Sequence, residues 1–201
     1  MYTPKFNQVT DRRVLLAAMR ENSFAILFGP DGLSQATHLP LVVKDEDTHG
    51  VLEGHFAKAN HHWQVLGGRE TLVVFPGPHS YVSPTLYAEP LSVPTWNYIA
   101  VHAYGTMELI EDEQAKDALL KGLIAQQEPA YAEHWRELPE GFRRTMLAGI
   151  VGFRIPIARI EGKFKLSQNR KEQERRSVQA AQAAGNDDQQ ALAAWMARLI
   201  G

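Results

Sequence analysis

Three short segments of this 201-residue chain combine residue types suited to holding a small, flat, anionic ligand. In HFAKANHHW (55–63), Lys58 and Asn60 follow a strand-like run and precede a helical turn. A cation, an amide and free backbone N–H groups at such a junction readily hold a phosphate. In VPTWNY (93–98), Trp96, Asn97 and Tyr98 stand behind a Pro-fixed turn. They offer a flat apolar wall beside an amide that can read a ring edge. In GKFKLSQN (162–169), Lys163 and Lys165 are two residues apart, so on a strand they face the same side, ahead of Ser167, Gln168 and Asn169. Each segment also has a plainer reading. Trp63 and Trp96 fit core positions as well as stacking platforms, and SQN fits a turn or helix cap.

Other chemistries find less support. GxxxxGK[ST] is absent, because Ile157 stands where the first Gly belongs and Phe164 where Ser or Thr belongs. No GxGxxG opens a helix and no GxSxG occurs, against a dinucleotide fold and an α/β-hydrolase. There is no cysteine, so disulfides and thiolate metal sites are ruled out. Of the eight histidines, His55, His61 and His62 are close in sequence, but adjacent residues point apart and HExxH is missing. No metal site is expected. His38 and His102 fall inside strand patterns, as hydrogen-bonded, partly buried rings. No residue stands out as a nucleophile or as a proton donor with an orienting partner.

Composition and charge narrow the class further. With 44% hydrophobic and 22% charged residues, the chain is globular rather than disordered. The net charge of −2 is unevenly placed: residues 1–162 carry −5, residues 163–176 carry +4 and the remainder −1. A short basic island on an acidic body fits a local anion site better than an extended nucleic-acid surface. The Arg170–Arg176 half reads equally well as a solvated helix face, with Glu172 and Glu174 interspersed. The opening MYTPKFNQVTDRR does not resemble a signal peptide, and no apolar run approaches a membrane span, so a cytoplasmic protein is expected.

The elements that must position these segments follow from periodicity. TDRRVLLAAMREN reads as a short helix capped by Thr10. SFAILFG and LSQATHLPLVVK flank GPDG as a strand pair, with Pro40 at an edge or bulge. GVLEGHFA is a strand, and HHWQVLGG one or two helical turns ended by Gly67 and Gly68. TLVVFPG reads as a short buried strand, PHSYVSPTLYAEPLSVP as a loop, and WNYIAVHAYGTMELI as the longest strand. Residues 112–147 are helical, broken near Pro129 and Pro139. IVGFRIPIARIEGKFKLS returns to strand, and the tail holds two helices separated by GNDD. The expectation is a mainly β fold: a small antiparallel barrel with helical decoration, spanning 1–176, with a helical tail over 177–201.

Taken together, MYTPKF at the start, THLPL at 37–41, GHFAKANHHW at 54–63, VFPGPHSYVSP at 74–84, VPTWNY at 93–98, GIVGF at 149–153 and GKFKLSQNR at 162–170 resemble the PaiB family. Its members are FMN-binding proteins known as negative transcriptional regulators. The resemblance runs in order from residue 1 to about 176, departing at His61, where Pro is expected, and at Leu86, where an aromatic is expected. It implies an FMN-binding split β-barrel with C-terminal helices, and a homodimer with flavin in the groove between subunits. It places Thr37 and His38 beside the flavin, Lys58, Ala59 and Asn60 on phosphate or ribityl oxygens, and Trp96 and Asn97 along the ring system. Lys163, Ser167, Gln168 and Asn169 would close the site from either chain. Competing expectations are an FMN-dependent oxidoreductase, of the flavin reductase or pyridoxamine-phosphate oxidase kind, and a haem-handling split barrel with a histidine on iron. Direct DNA binding is not expected, since the last helix offers only Arg198 to a nucleic acid.

Overall fold

The computed structural model describes residues 1–30 and 35–200, and places ten strands and seven α-helices among them. Two units emerge, each assembled from separated stretches of chain: Met1–Ala18, Pro76–Val101 and Glu161–Gly201 in the first, and Met19–Phe75 and His102–Ile160 in the second.

The first unit contains β1 (Gln8–Val9), most of α1 (Arg12–Glu21) and of β10 (Arg159–Lys165), and the helices α6 (Glu172–Ala183) and α7 (Asp187–Ile200). The strands β6 (Glu70–Val82) and β7 (Thr95–Thr106) run through both units. Here the hydrogen-bonded order is β1-β10-β7-β6, with Gln8 opposite Lys163 and Val9 opposite Gly162. On β7, Asn97, Ile99 and Val101 are buried while their neighbours are more exposed, the period of two that a half-covered sheet requires. The tail belongs to this core: Trp195 of α7 meets Phe164 of β10 edge-on at 5.3 Å, and Trp195 is 3% exposed.

The second unit begins with the antiparallel pair β2 (Phe24–Phe28) and β3 (Ala36–Pro40), registered from Phe24 opposite Pro40 to Phe28 opposite Ala36. This is the pair expected around GPDG, whose Asp31 and Gly32 lie outside the described residues. β3 is an edge strand, which is why Pro40 is tolerated there. A second antiparallel ladder runs β4 (Val42–Lys44), β5 (Val51–Ala57), β9 (Ile150–Pro156), β8 (Glu108–Ile110). Its core includes Leu41, Phe56 and Phe153, all fully buried. Between β5 and β6 lies α2 (His62–Leu66), and α3 (Glu113–Gln127), α4 (Tyr131–Glu137) and α5 (Glu140–Ala148) fill the expected helical region. Neither strand order returns to its first member, so the barrel stays split.

Three local expectations change. The cap of α1 is Asp11, not Thr10: its carboxylate accepts from the Arg13 and Val14 N–H groups at 2.8 and 3.5 Å. Those bonds, the one from Arg13 first, hold its pKa below the usual carboxylate value. β6 is not short; it extends through Pro76 and Pro78 to Val82, 13 residues against 12 for β7. Its register with β2 covers only Leu72 to Val74, so the prolines fall where that ladder has ended. WNYIAVHAYGTMELI is two strands: Met107 bridges Gly67, and β8 then pairs with β9.

Candidate functional site

The expected ligand residues gather in two clusters, one in each unit. In the second unit the 57–62 turn joins β5 to α2. The Asn60 N–H donates to the Ala57 carbonyl at 2.8 Å, closing the turn. Asn60 Oδ1 accepts from the His62 N–H at 3.1 Å and from Gln35 Nε2 at 3.3 Å, and its Nδ2 donates to Thr37 Oγ1 at 3.4 Å. Thr37 Oγ1 and His62 Nδ1 are 2.8 Å apart, with His62 fully buried and Thr37 7% exposed. This network pins the turn against β3. Asn60 therefore uses its amide within the protein and acts by positioning its neighbours.

Lys58 is anchored through its backbone alone. Its N–H donates to the Gly149 carbonyl at 2.8 Å, and its carbonyl accepts from Trp63 Nε1 at 3.2 Å. The side chain is exposed, and its ammonium has no bonded partner among the described residues. Ala59 is exposed on the same turn. His38 points away from Thr37, as alternation demands; it is exposed, with its ring centroid 6.0 Å from that of Phe24. Sequence reasoning passed over His62 as a structural partner, although THLPL and NHHW both carried the pieces. Among the described residues no three His, Asp or Glu side chains are grouped to hold a metal. His55 is half-buried, and burial lowers its pKa from the ordinary 6.5.

In the first unit, Asn97 on β7 is fully buried and its Oδ1 accepts from Ser167 Oγ at 3.0 Å. Ser167 is 4% exposed and sits at φ +64°, a left-handed conformation that sets the bend after β10. Gln168 closes that bend internally: its Oε1 accepts from the Leu166 N–H at 2.7 Å and its Nε2 donates to the Phe164 carbonyl. Asn169 is exposed. Trp96 is not a core residue; it is 52% exposed, with Tyr81 edge-on at 6.3 Å and His79 at 6.1 Å. Lys163 Nζ donates to the Tyr2 carbonyl at 3.0 Å and lies 5.4 Å from the centre of the Tyr98 ring. The groups with surface still to offer are thus Lys58, Ala59, His38, Trp96 and Asn169. Asn60, Asn97, Ser167 and Gln168 hold the turns that present them.

A crevice of about 380 Å³ between α3 and α5 makes a poorer ligand site. Most of its charges already satisfy one another: Arg144 meets Glu113 at 3.4 Å and Glu140 at 3.0 Å, and Lys121 meets Asp117 at 2.5 Å, while the buried Arg143 Nε has no hydrogen-bond partner among the described residues. Burial pushes the Asp117 carboxyl up, but hydrogen bonds from Lys121 and Trp135 outweigh it and leave the pKa lowered.

Comparison with known proteins places this geometry in a family. A family described as "Putative FMN-binding domain" matches residues 1–159. Protease synthase and sporulation protein PAI 2 of Bacillus subtilis is 39% identical over 180 residues, 86% of this chain and 84% of that protein. The fold is that of the flavocytochrome Anf3 from Azotobacter vinelandii, with a TM-score of 0.64 at 15% identity over 81% of this chain and 72% of that one. It is shared with the FAD and heme binding protein from Mycobacterium smegmatis, with a TM-score of 0.58 at 19% identity over 90% of this chain and 81% of that one. No helix among the described residues is long and apolar enough to cross a membrane. With the family match covering most of its length, and PAI 2 matched across both chains, this protein belongs to the "Putative FMN-binding domain" family, a flavin-binding family.

Proposed function

We propose that this protein binds FMN, as a cytoplasmic regulator of the PaiB type, with the cofactor held between two copies of the chain. The observation that carries the reading is the 57–62 turn. Three buried or half-buried side chains lock it, and it presents an ammonium with no bonded partner among the described residues. Lys58 then meets the phosphate, with Ala59 beside it and Thr37, His38 and Asn60 shaping the turn's flank. Trp96 borders the ring system by its exposed face, and buried Asn97 beneath it acts by fixing the strand and the bend after β10. Lys163 and Asn169 close the site from the partner copy, Asn169 presented by the bend that Ser167 and Gln168 hold. Bound flavin would supply a redox-active ring; the residues named here bind and orient it.

Direct contact with DNA is not part of this function. In the basic segment, Arg176 pairs with Glu172 at 2.5 Å and Arg175 Nη1 donates to the Arg170 carbonyl at 2.9 Å. The cations of this segment left without a carboxylate form a short local group, not the extended face that a duplex needs. The test is Lys58→Ala with FMN and riboflavin, followed by flavin fluorescence. FMN binding should weaken by about 1.5–3 kcal/mol, the range for a hydrogen bond to a charged group, and riboflavin binding by much less. Equal losses would remove Lys58 from the phosphate. Sedimentation of flavin-free and FMN-loaded protein tests the shared site; a monomer retaining full affinity rejects it.

A further inference from the structure

Three cations gather on β10 and the loop that follows, and none of their bonded partners among the described residues is a carboxylate. Lys165 Nζ donates to Thr95 Oγ1, Lys163 Nζ to the Tyr2 carbonyl at 3.0 Å, and Arg170 Nη1 to Ser92 Oγ at 3.4 Å. All three acceptors are neutral. Burial in the first place, and then the charges of Lys163 and Arg170, lower the Lys165 pKa, so the three groups share one field. The acids on the same segments have other partners: Glu161 the N-terminal ammonium at 2.5 Å, Glu172 Arg176 at 2.5 Å, Glu174 the Glu89 N–H at 3.4 Å and Glu89 the Leu91 N–H at 3.5 Å.

A second observation points to a ligand. The Arg170 guanidinium lies 3.8 Å over the Tyr87 ring centre, which leaves its edge N–H groups for an oxyanion that offers two oxygens side by side. Tyr87 is 9% exposed, and its buried hydroxyl has no hydrogen-bond partner among the described residues. A buried hydroxyl without a partner is costly, and an acceptor oxygen would satisfy it.

We propose that Lys165, Arg170 and the Tyr87 hydroxyl form a seat for a phosphate-class dianion, in addition to the flavin phosphate assigned to Lys58. Two positive charges favour a dianion over a monocarboxylate, and the neutral partners Thr95 and Ser92 leave donors of both Lys165 and Arg170 to spare. The inference does not rest on FMN binding.

The experiment is calorimetric titration of inorganic phosphate, against acetate at matched ionic strength, into FMN-saturated and flavin-free protein. Saturable phosphate binding stronger than acetate binding is expected in both, with FMN remaining bound. Lys165→Met should weaken phosphate at least tenfold, and Tyr87→Phe, which removes one oxygen and keeps the ring under Arg170, by several-fold. Absence of saturable binding, equal binding by wild type and both variants, or release of FMN by phosphate would each overturn the second seat. The flavin-free titration stands whether or not FMN binds, so failure of one reading is separable from failure of the other.

Discussion

Replacing Ser167 by Ala and by Gly should reverse the usual order of those two residues. Ser167 Oγ is the donor to Asn97 Oδ1, and both residues are buried. Removing it leaves the Asn97 carbonyl without that donor, a loss of about 1–3 kcal/mol. Alanine inherits the left-handed backbone at φ +64°, whereas glycine adopts it without a Cβ penalty. That relief is about 1–2 kcal/mol. Set against it is glycine's extra unfolded-state entropy, about 0.5–1 kcal/mol. Ser167→Ala should therefore be the less stable of the two by roughly 0.5–1 kcal/mol, although glycine is ordinarily the worse replacement. Urea unfolding of flavin-free protein, with the slope checked for constancy, measures both. For a chain of this size each kcal/mol lost lowers Tm by about 2–4 °C. If Ser167→Gly were as unstable as Ser167→Ala, or more so, the backbone argument would be wrong.

Thr37→Val removes the hydroxyl 2.8 Å from His62 Nδ1 and the acceptor of Asn60 Nδ2. It should cost about 1–3 kcal/mol in urea unfolding, and an unchanged midpoint would show that the turn is held by other means. Gly105→Ala would put a Cβ 2.2 Å from the Pro156 carbonyl oxygen, which is backbone and cannot rotate aside. A loss of about 1–3 kcal/mol or more is expected in thermal unfolding, and wild-type stability would refute the close packing of β7 there. His55 has its pKa lowered by burial, so below pH 6.5 the unfolded chain takes a proton that the folded one refuses. Its contribution is complete above pH 6.5 and is lost as pH falls toward the folded-state value. Stability measured between pH 7 and 5 should decline less steeply in His55→Gln than in the wild type, and parallel curves would rule the histidine out.

The sequence by itself determined most of the elements and singled out the candidate site segments. Local signals suffice for those: the Gly67–Gly68 pair after α2, Pro129 and Pro139 between the three helices, and strict alternation along β7. The motifs were legible because a turn suited to a ligand needs particular residues at consecutive positions, the pattern that HFAKANHH shows. The roles within them were not. Nothing local says that Asn60 will bond Thr37, 23 positions away, or that Asn97 will be committed to Ser167, 70 positions away. Such pairs form only when distant strands register, and they turn apparent ligand groups into positioning groups. The same holds for β6, whose prolines read as loop because a sequence cannot say where the ladder on one side of a strand will stop. Tertiary structure also decided charge. Lys163, Lys165 and Arg170 were a modest basic run in sequence, and Tyr87 and Ser92 were loop residues; folding sets Arg170 against both and leaves the cations facing neutral acceptors. Composition counts charges, but only the fold decides which of them meet a partner.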